Sequence, residues 1–220
     1  MIKKAILLSQ RLTEETNYKE NREALDVRVG KLIAECDFVP VPVSIYADTK
    51  TYFYSFHPQG IILTGGNDLE IVAPGNRLSK ERDRLEQSLI NIGLENDLPI
   101  FGICRGAQML AHFFDGVLEK HNGHANVVHP IEVNPESILS VFHSQTKLVT
   151  SHHQFCVTKI DEKLFRISAR ADDKTIEAFE HKEKPIMGIM WHPERVEPFH
   201  SGDISLIKNF FLRHYSAKIN

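Results

Sequence analysis

The chain has 220 residues, 42% hydrophobic and 25% charged, a size and balance that suit one α/β domain spanning 1–220 with a full core. A formal charge of -3, from 26 basic and 29 acidic residues, leaves no electrostatic footprint for nucleic acid or an anionic membrane, so a small-molecule partner is expected. The apolar run Ala5 to Leu8 is too short for a signal-peptide core and no later stretch is long enough to span a bilayer, which points to the cytoplasm.

Short apolar runs at 2–8, 38–43, 60–63 and 99–103 read as strands, and helix-period segments at roughly 18–35, 79–96 and 105–115 lie between or after them. Ser79 is the expected N-cap of the second helix. This alternation predicts an α/β fold with a central, mostly parallel mixed sheet covered by helices on both faces. From about Val117 the texture turns to strand-like runs at 127–133, 155–160, 164–171, 175–180 and 186–191, followed by a helix at 205–215. The chain contains no internal repeat, low-complexity tract or Pro/Gly/Ser-rich linker.

Three cysteines, Cys36, Cys104 and Cys156, are scattered without a CxxC pair, which suits a reducing compartment. Only Cys104 has a chemical setting. In Pro99-Ile-Phe-Gly-Ile-Cys104-Arg-Gly-Ala-Gln-Met-Leu110 a buried strand runs through Gly-x-Cys-x-Gly straight into a helix, the cysteine form of a nucleophile elbow. Gly102 and Gly106 fit because the turn brings the backbone too close to its neighbours for larger side chains. The helix starting at Arg105 aims its free N-H groups and the positive end of its dipole at the sulfur. Cys36 and Cys156 read as small core hydrophobes.

A nucleophilic thiol needs an imidazole beside it, and the strand at 186–191 ends in His192-Pro193-Glu194. Pro193 stiffens the backbone between the two groups, and a carboxylate two residues past a histidine can take its second N-H, fixing tautomer and orientation. Gly-Ile-Cys104-Arg-Gly-Ala-Gln108 together with Gly-Ile-Met-Trp-His192-Pro-Glu194 resembles the class I glutamine amidotransferase superfamily. That resemblance implies the flavodoxin-like fold of the superfamily, with Cys104, His192 and Glu194 as catalytic residues of a cysteine-dependent amidohydrolase that needs no cofactor.

The resemblance extends to Thr64-Gly65-Gly66-Asn67-Asp68, where the family's glycine turn implies that the Gly66 N-H joins the Arg105 N-H as an oxyanion hole. It implies substrate contacts by Gln108, one helical turn beyond Cys104, and by Ser151 and His153 in Thr150-Ser-His-His-Gln154, similar to the family loop whose backbone clasps a glutamyl moiety. The paired histidines 152 and 153 have no third metal ligand at a recognisable spacing, so no metal is expected. His121, His124 and His129 read as solvated loop residues, with a leaving-group pocket as the sharper alternative.

Arg82-Asp83-Arg84-Leu85-Glu86 resembles an Arg-Asp-x-x-Glu element of the γ-glutamyl hydrolase branch, although taken alone it reads as a charged helix face with local ion pairs. The segment from Gly66 to Arg82 is short, and Asn67-Asp68 stands where that branch has a small-residue turn. The stretch Asn21 to Arg28 and the Gly-Gly-Asn-Asp-Leu turn are similar to short hydrolases acting on γ-glutamyl-CDP-amidate in capsule phosphoramidate synthesis. The expected partner is a γ-glutamyl small molecule, with homo-oligomerisation left open. Two alternatives stand: a glutaminase subunit passing ammonia to a separate synthase partner, and a non-catalytic regulatory module on the same fold.

Overall fold

The structure, a computed structural model, describes residues 3–17 and 19–213. The expected positions of Ile2 in the first strand, Tyr18 at the first helix start and Tyr215 at the last helix end lie outside the described residues. The first half of the chain forms β1 (Ala5–Leu8), β2 (Arg11–Glu15), β3 (Glu20–Ala24), α1 (Val27–Glu35), β4 (Val39–Pro42), α2 (Thr49–Phe56), β5 (Gly60–Leu63), α3 (Arg77–Glu95), β6 (Ile100–Ile103) and α4 (Arg105–Phe113). The second half forms β7 (Val117–Lys120), β8 (Ala125–Val133), β9 (Thr146–His152), β10 (Phe155–Lys159), β11 (Phe165–Ala171), β12 (Ile176–His181), β13 (Ile186–Ile189) and α5 (Ser201–Leu212).

Parallel ladders join β4, β1, β5, β6 and β13, and every pairing beyond β13, through β12, β11, β8 and β9, is antiparallel. The strands β5, β6 and β13 are buried at every position, as central parallel strands covered on both sides must be. Their side chains alternate between two cores. Ile6, Leu8, Ile62 and Phe101 pack on one face with Leu32 and Ile33 of α1 and Phe210 and Phe211 of α5, while Leu7, Ile61, Leu63 and Ile100 pack on the other with Leu89 of α3 and Leu110 of α4. Pro40 and Pro42 fall in β4, an edge strand, where a missing N-H is tolerated. Among the described residues, no helix is long and apolar enough to cross a membrane.

Two expectations are corrected. The helix expected over 18–35 begins at Val27, capped by the Asp26 side chain, which accepts from the Arg28 N-H. Residues 20–24 instead form β3, paired antiparallel with β2 in a separate two-stranded sheet. The physical reason is visible in the residue pattern: the buried stripe Val29, Leu32 and Ile33 starts only after Asp26, and the polar residues before it offer a helix no apolar face. In α3 the cap is Asn76, whose side chain accepts from the Ser79 N-H, so Ser79 lies inside the helix.

Candidate active site

Cys104 stands between β6 and α4 with φ 51° and ψ -106°, a left-handed conformation that costs a non-glycine residue about 1–3 kcal/mol. The surroundings enforce it. The Cys104 N-H donates to the Ile189 carbonyl at 2.7 Å, tying the turn to β13, and a Cβ on Gly106 would collide with the Leu63 carbonyl. One on Gly102 would lie 2.6 Å from the Ala107 nitrogen. No side chain caps α4, so its first N-H groups are free for a ligand above the sulfur.

His192 follows β13 and is fixed from both sides. Its backbone N-H donates to the Thr150 carbonyl at 3.3 Å, and its Nδ1 lies 2.6 Å from Glu194 Oε1. All three of Cys104, His192 and Glu194 are buried. Gly65 sits in the angle between them: a Cβ there would lie 2.9 Å from His192 Cε1 and 3.9 Å from Cys104 Cβ. Burial alone would lower the His192 pKa, but the charge and hydrogen bonding of Cys104 and Glu194 outweigh it and raise the imidazole to about 9.

The glycine turn after β5 is braced from below. Arg82, fully buried, donates to the Gly65 carbonyl at 3.0 Å and the Thr64 carbonyl at 2.6 Å. A trans peptide points its C=O and N-H in opposite directions, so anchoring the Gly65 carbonyl on Arg82 turns the Gly66 N-H away from it. Gly66 has φ 109°, and a Cβ there would lie 2.5 Å from Arg11 Nε and 3.1 Å from Arg82. Arg82 in turn bonds Glu86 Oε1 at 3.0 Å, and the Arg105 guanidinium pairs with Glu86 and Asp83.

Cys104, His192, Gly66, Arg105, Gln108 and His153 therefore surround one pocket of ≈ 340 Å³, together with Arg11, Asn67, His152 and Arg195. That volume suits a small molecule. Gln108 Nε2 donates to the Phe155 carbonyl at 2.7 Å, which orients the amide within the pocket wall. The Ser151 side chain is turned elsewhere, its Oγ 2.8 Å from His129 Nε2. His124 departs from its expected setting: it is 3% exposed, 2.7 Å from Asp173 and 3.2 Å from Glu177, because β12 and the turn before it supply carboxylates that spacing along the chain cannot reveal. His121 and His129 are half-buried beside it, so the reading of this group as solvated loop residues does not hold.

The peptidase C26 family model matches residues 5–194, a stretch that includes the elbow and ends on Glu194. The chain belongs to the peptidase C26 family. It is 40% identical over 208 residues to a γ-glutamyl-CDP-amidate hydrolase of Campylobacter jejuni, covering 93% of this chain and 96% of the relative. It is also 31% identical over 153 residues to a glutamine-hydrolysing GMP synthase subunit of Pyrococcus furiosus, covering 70% and 74%. A Thermoplasma acidophilum crystal structure, assigned to the same kind of GMP synthase subunit, superposes with a TM-score of 0.70 at 18% identity over 96% of this chain and 94% of that one. The fold is thus the expected class I glutamine amidotransferase α/β fold.

Sequence reasoning missed two residues of this C26 pocket. Arg11 reaches it because Asn67 exchanges hydrogen bonds with the Leu12 backbone, at 3.0 and 2.9 Å, and so docks the β2–β3 hairpin on the glycine turn. The Asn67 that stands where the branch has a small residue is this anchor. Arg195, next to Glu194, lines the same pocket. The Arg82-to-Glu86 element also proves to be a buried brace rather than a charged surface. Arg82→Ala is expected to destabilise the fold by about 3–5 kcal/mol, since it leaves two carbonyls and a buried carboxylate short of a partner. Urea denaturation measures this, and a loss under ~1 kcal/mol, the size of a surface pair, contradicts the brace.

Proposed function

We propose that the protein is a cysteine-dependent amidohydrolase that cleaves γ-glutamyl amides through a γ-glutamyl thioester on Cys104. The observation that carries this reading is the meeting of the strained Cys104, His192 backed by Glu194, and the braced glycine turn in one small pocket. In the first half-reaction the Cys104 sulfur attacks the amide carbon, and the oxyanion takes the N-H groups of Gly66 and Arg105. His192 gives its proton to the departing nitrogen as the C-N bond breaks. A water then loses a proton to His192 and attacks the thioester, releasing glutamate and the Cys104 sulfur. Gln108 and the 151–153 segment hold the glutamyl moiety.

The proposed substrate is γ-glutamyl-CDP-amidate, as in the 40% identical relative, with a place in capsule phosphoramidate synthesis. An anionic leaving group suits the pocket: Arg11 and Arg195 both line it against one carboxylate, Asp68, and Arg195 Nε, 3.7 Å from Glu194 Oε1, makes no hydrogen bond among the described residues. Arg11→Ala is expected to lower kcat/KM for the CDP-linked amide ~10- to 100-fold, the worth of one charge-assisted hydrogen bond, while changing glutamine cleavage little. Equal loss on both substrates contradicts a leaving-group role for Arg11.

The likeness to the Pyrococcus GMP synthase subunit favours a second reading, a glutaminase subunit that serves a synthase. Steady-state kinetics of the purified chain on glutamine, γ-glutamyl-γ-aminobutyrate and γ-glutamyl-CDP-amidate separate the two. Turnover of the CDP-linked amide by the chain alone supports the hydrolase. Inactivity on all three until a synthase is added supports the dependent glutaminase.

His192 also sets a pH limit. Its pKa, about 9, is above the ordinary 6.5, so the protonated ring persists through neutral pH. Stability linked to this proton is complete below 6.5 and is lost as pH rises through about 9. The kcat/KM profile should show its alkaline limb near the upper value, where the proton needed by the leaving nitrogen disappears. An alkaline limb near 6.5 contradicts the assignment.

A further inference from the structure

Beside the pocket lies a buried polar cluster of which the proposed reaction uses only His153, through the segment that holds the glutamyl moiety. It gathers His124 from just before β8, His129 from β8, His153 from just after β9, and Glu177 from β12. Glu177 is 0% exposed, and among the described residues neither of its carboxylate oxygens has a hydrogen-bond partner; nor do His124 Nδ1 and His153 Nε2. These atoms face one another. His124 Nδ1 lies 3.2 Å and His153 Nε2 3.6 Å from Glu177 Oε1, and His124, His129 and Glu177 can each place a donor atom within 4.8 Å of the other two.

The outer nitrogens of the rings explain the orientation. His124 Nε2 lies 2.7 Å from Asp173 Oδ2, and Asp173 is itself held by the Thr175 hydroxyl at 2.7 Å. His153 Nδ1 lies 3.2 Å from the Phe155 carbonyl. With Nδ1 donating there rather than accepting from the Cys156 thiol at 3.5 Å, His153 turns the lone pair of Nε2 toward a carboxylate oxygen, and two electron-rich atoms in such contact repel unless a cation lies between them. An imidazole whose outer N-H is held by a carboxylate or carbonyl is the usual second shell of a metal site. Bond lengths of about 2.0–2.2 Å to a tetrahedral zinc put donors roughly 3.3–3.5 Å apart, close to the 3.2 Å and 3.6 Å at which His124 and His153 approach Glu177 Oε1.

We propose that His124, His153 and Glu177, with His129 completing the set, bind one divalent transition-metal ion of the zinc class. Imidazole nitrogens with a carboxylate select such an ion over magnesium or calcium, which prefer oxygen donors. With His129 Nε2 exchanging its Ser151 Oγ contact for the ion, four protein donors close the coordination sphere and the ion is structural. It joins β8, β9 and β12 behind the pocket and fixes His153, which shares the Phe155 carbonyl with Gln108. The alternative is a histidinium at His124 between Asp173 and Glu177, which supplies no proton to the second Glu177 oxygen.

The test uses the full chain, stripped with a chelator and titrated with Co²⁺ and with Zn²⁺. Expected are one ion bound per chain, the intense visible absorption of tetrahedral Co²⁺, and a thermal midpoint that rises with Zn²⁺. Glu177→Gln and His124→Ala should abolish the spectrum, and Cys104→Ala should leave it intact. Asp173→Asn, at a partly exposed outer position, keeps the test decisive where a core variant misfolds, and should weaken binding ~10- to 100-fold. A folded, stripped chain that gives no tetrahedral Co²⁺ spectrum and no Zn²⁺-dependent midpoint overturns the proposal in favour of the histidinium network. Binding by Glu177→Gln or Asp173→Asn as tight as wild type overturns it as well. None of these readouts depends on amide turnover, so the outcome is independent of the proposed hydrolase activity.

Discussion

Cys104→Ala is expected to abolish turnover of γ-glutamyl amides, by a factor on the order of 10⁴ to 10⁶, while the protein stays folded. The magnitude is that of removing a nucleophile, which leaves only binding and oxyanion stabilisation. Folding survives because the lost sulfur is small and the elbow is held by backbone contacts to Ile189 and Leu63 rather than by the thiol. A further comparison uses the strain. Since φ at this position is 51°, Cys104→Gly should be at least as stable as Cys104→Ala in thermal unfolding, glycine adopting the left-handed region freely. Single-turnover assays with mass spectrometry should find a γ-glutamyl adduct on wild-type Cys104 and none in either variant. Residual activity above ~1% in the alanine variant removes Cys104 from the role.

His192→Ala comes next in size, with an expected loss on the order of 10⁴-fold or more, because both the proton for the leaving nitrogen and the base for water disappear. Glu194→Gln should be roughly 10- to 100-fold less damaging, by analogy with orienting carboxylates in other triads. It keeps an oxygen 2.6 Å from Nδ1 but removes the negative charge that helps hold the His192 pKa near 9. The alkaline limb of kcat/KM should therefore move down in Glu194→Gln. The order is decisive: a Glu194 variant worse than the His192 variant reverses the assignment of base and orienter.

Both predictions concern residues that the sequence itself makes legible. The elbow and the His192-Pro-Glu194 ending are local patterns: each packs a strand end, a turn and its chemistry into about a dozen consecutive residues, so spacing along the chain stands for spacing in space. The alternation of apolar runs with helix-period segments likewise announced the parallel half of the sheet, because strands buried on both faces read as continuous apolar stretches.

What the tertiary structure decided is everything that depends on partners distant in sequence. The β2–β3 hairpin has no apolar alternation strong enough to mark it, and it exists through backbone pairing and the Asn67 anchor, which together bring Arg11 to the pocket. Arg82 and Glu86 have the i, i+4 spacing of a surface ion pair, and only the carbonyls of Thr64 and Gly65 above them make the pair a buried brace. His124 is the clearest case. Its loop sequence reads as solvated, yet an antiparallel sheet folds Asp173 and Glu177 onto it, and a buried carboxylate changes what a histidine does more than any neighbour along the chain.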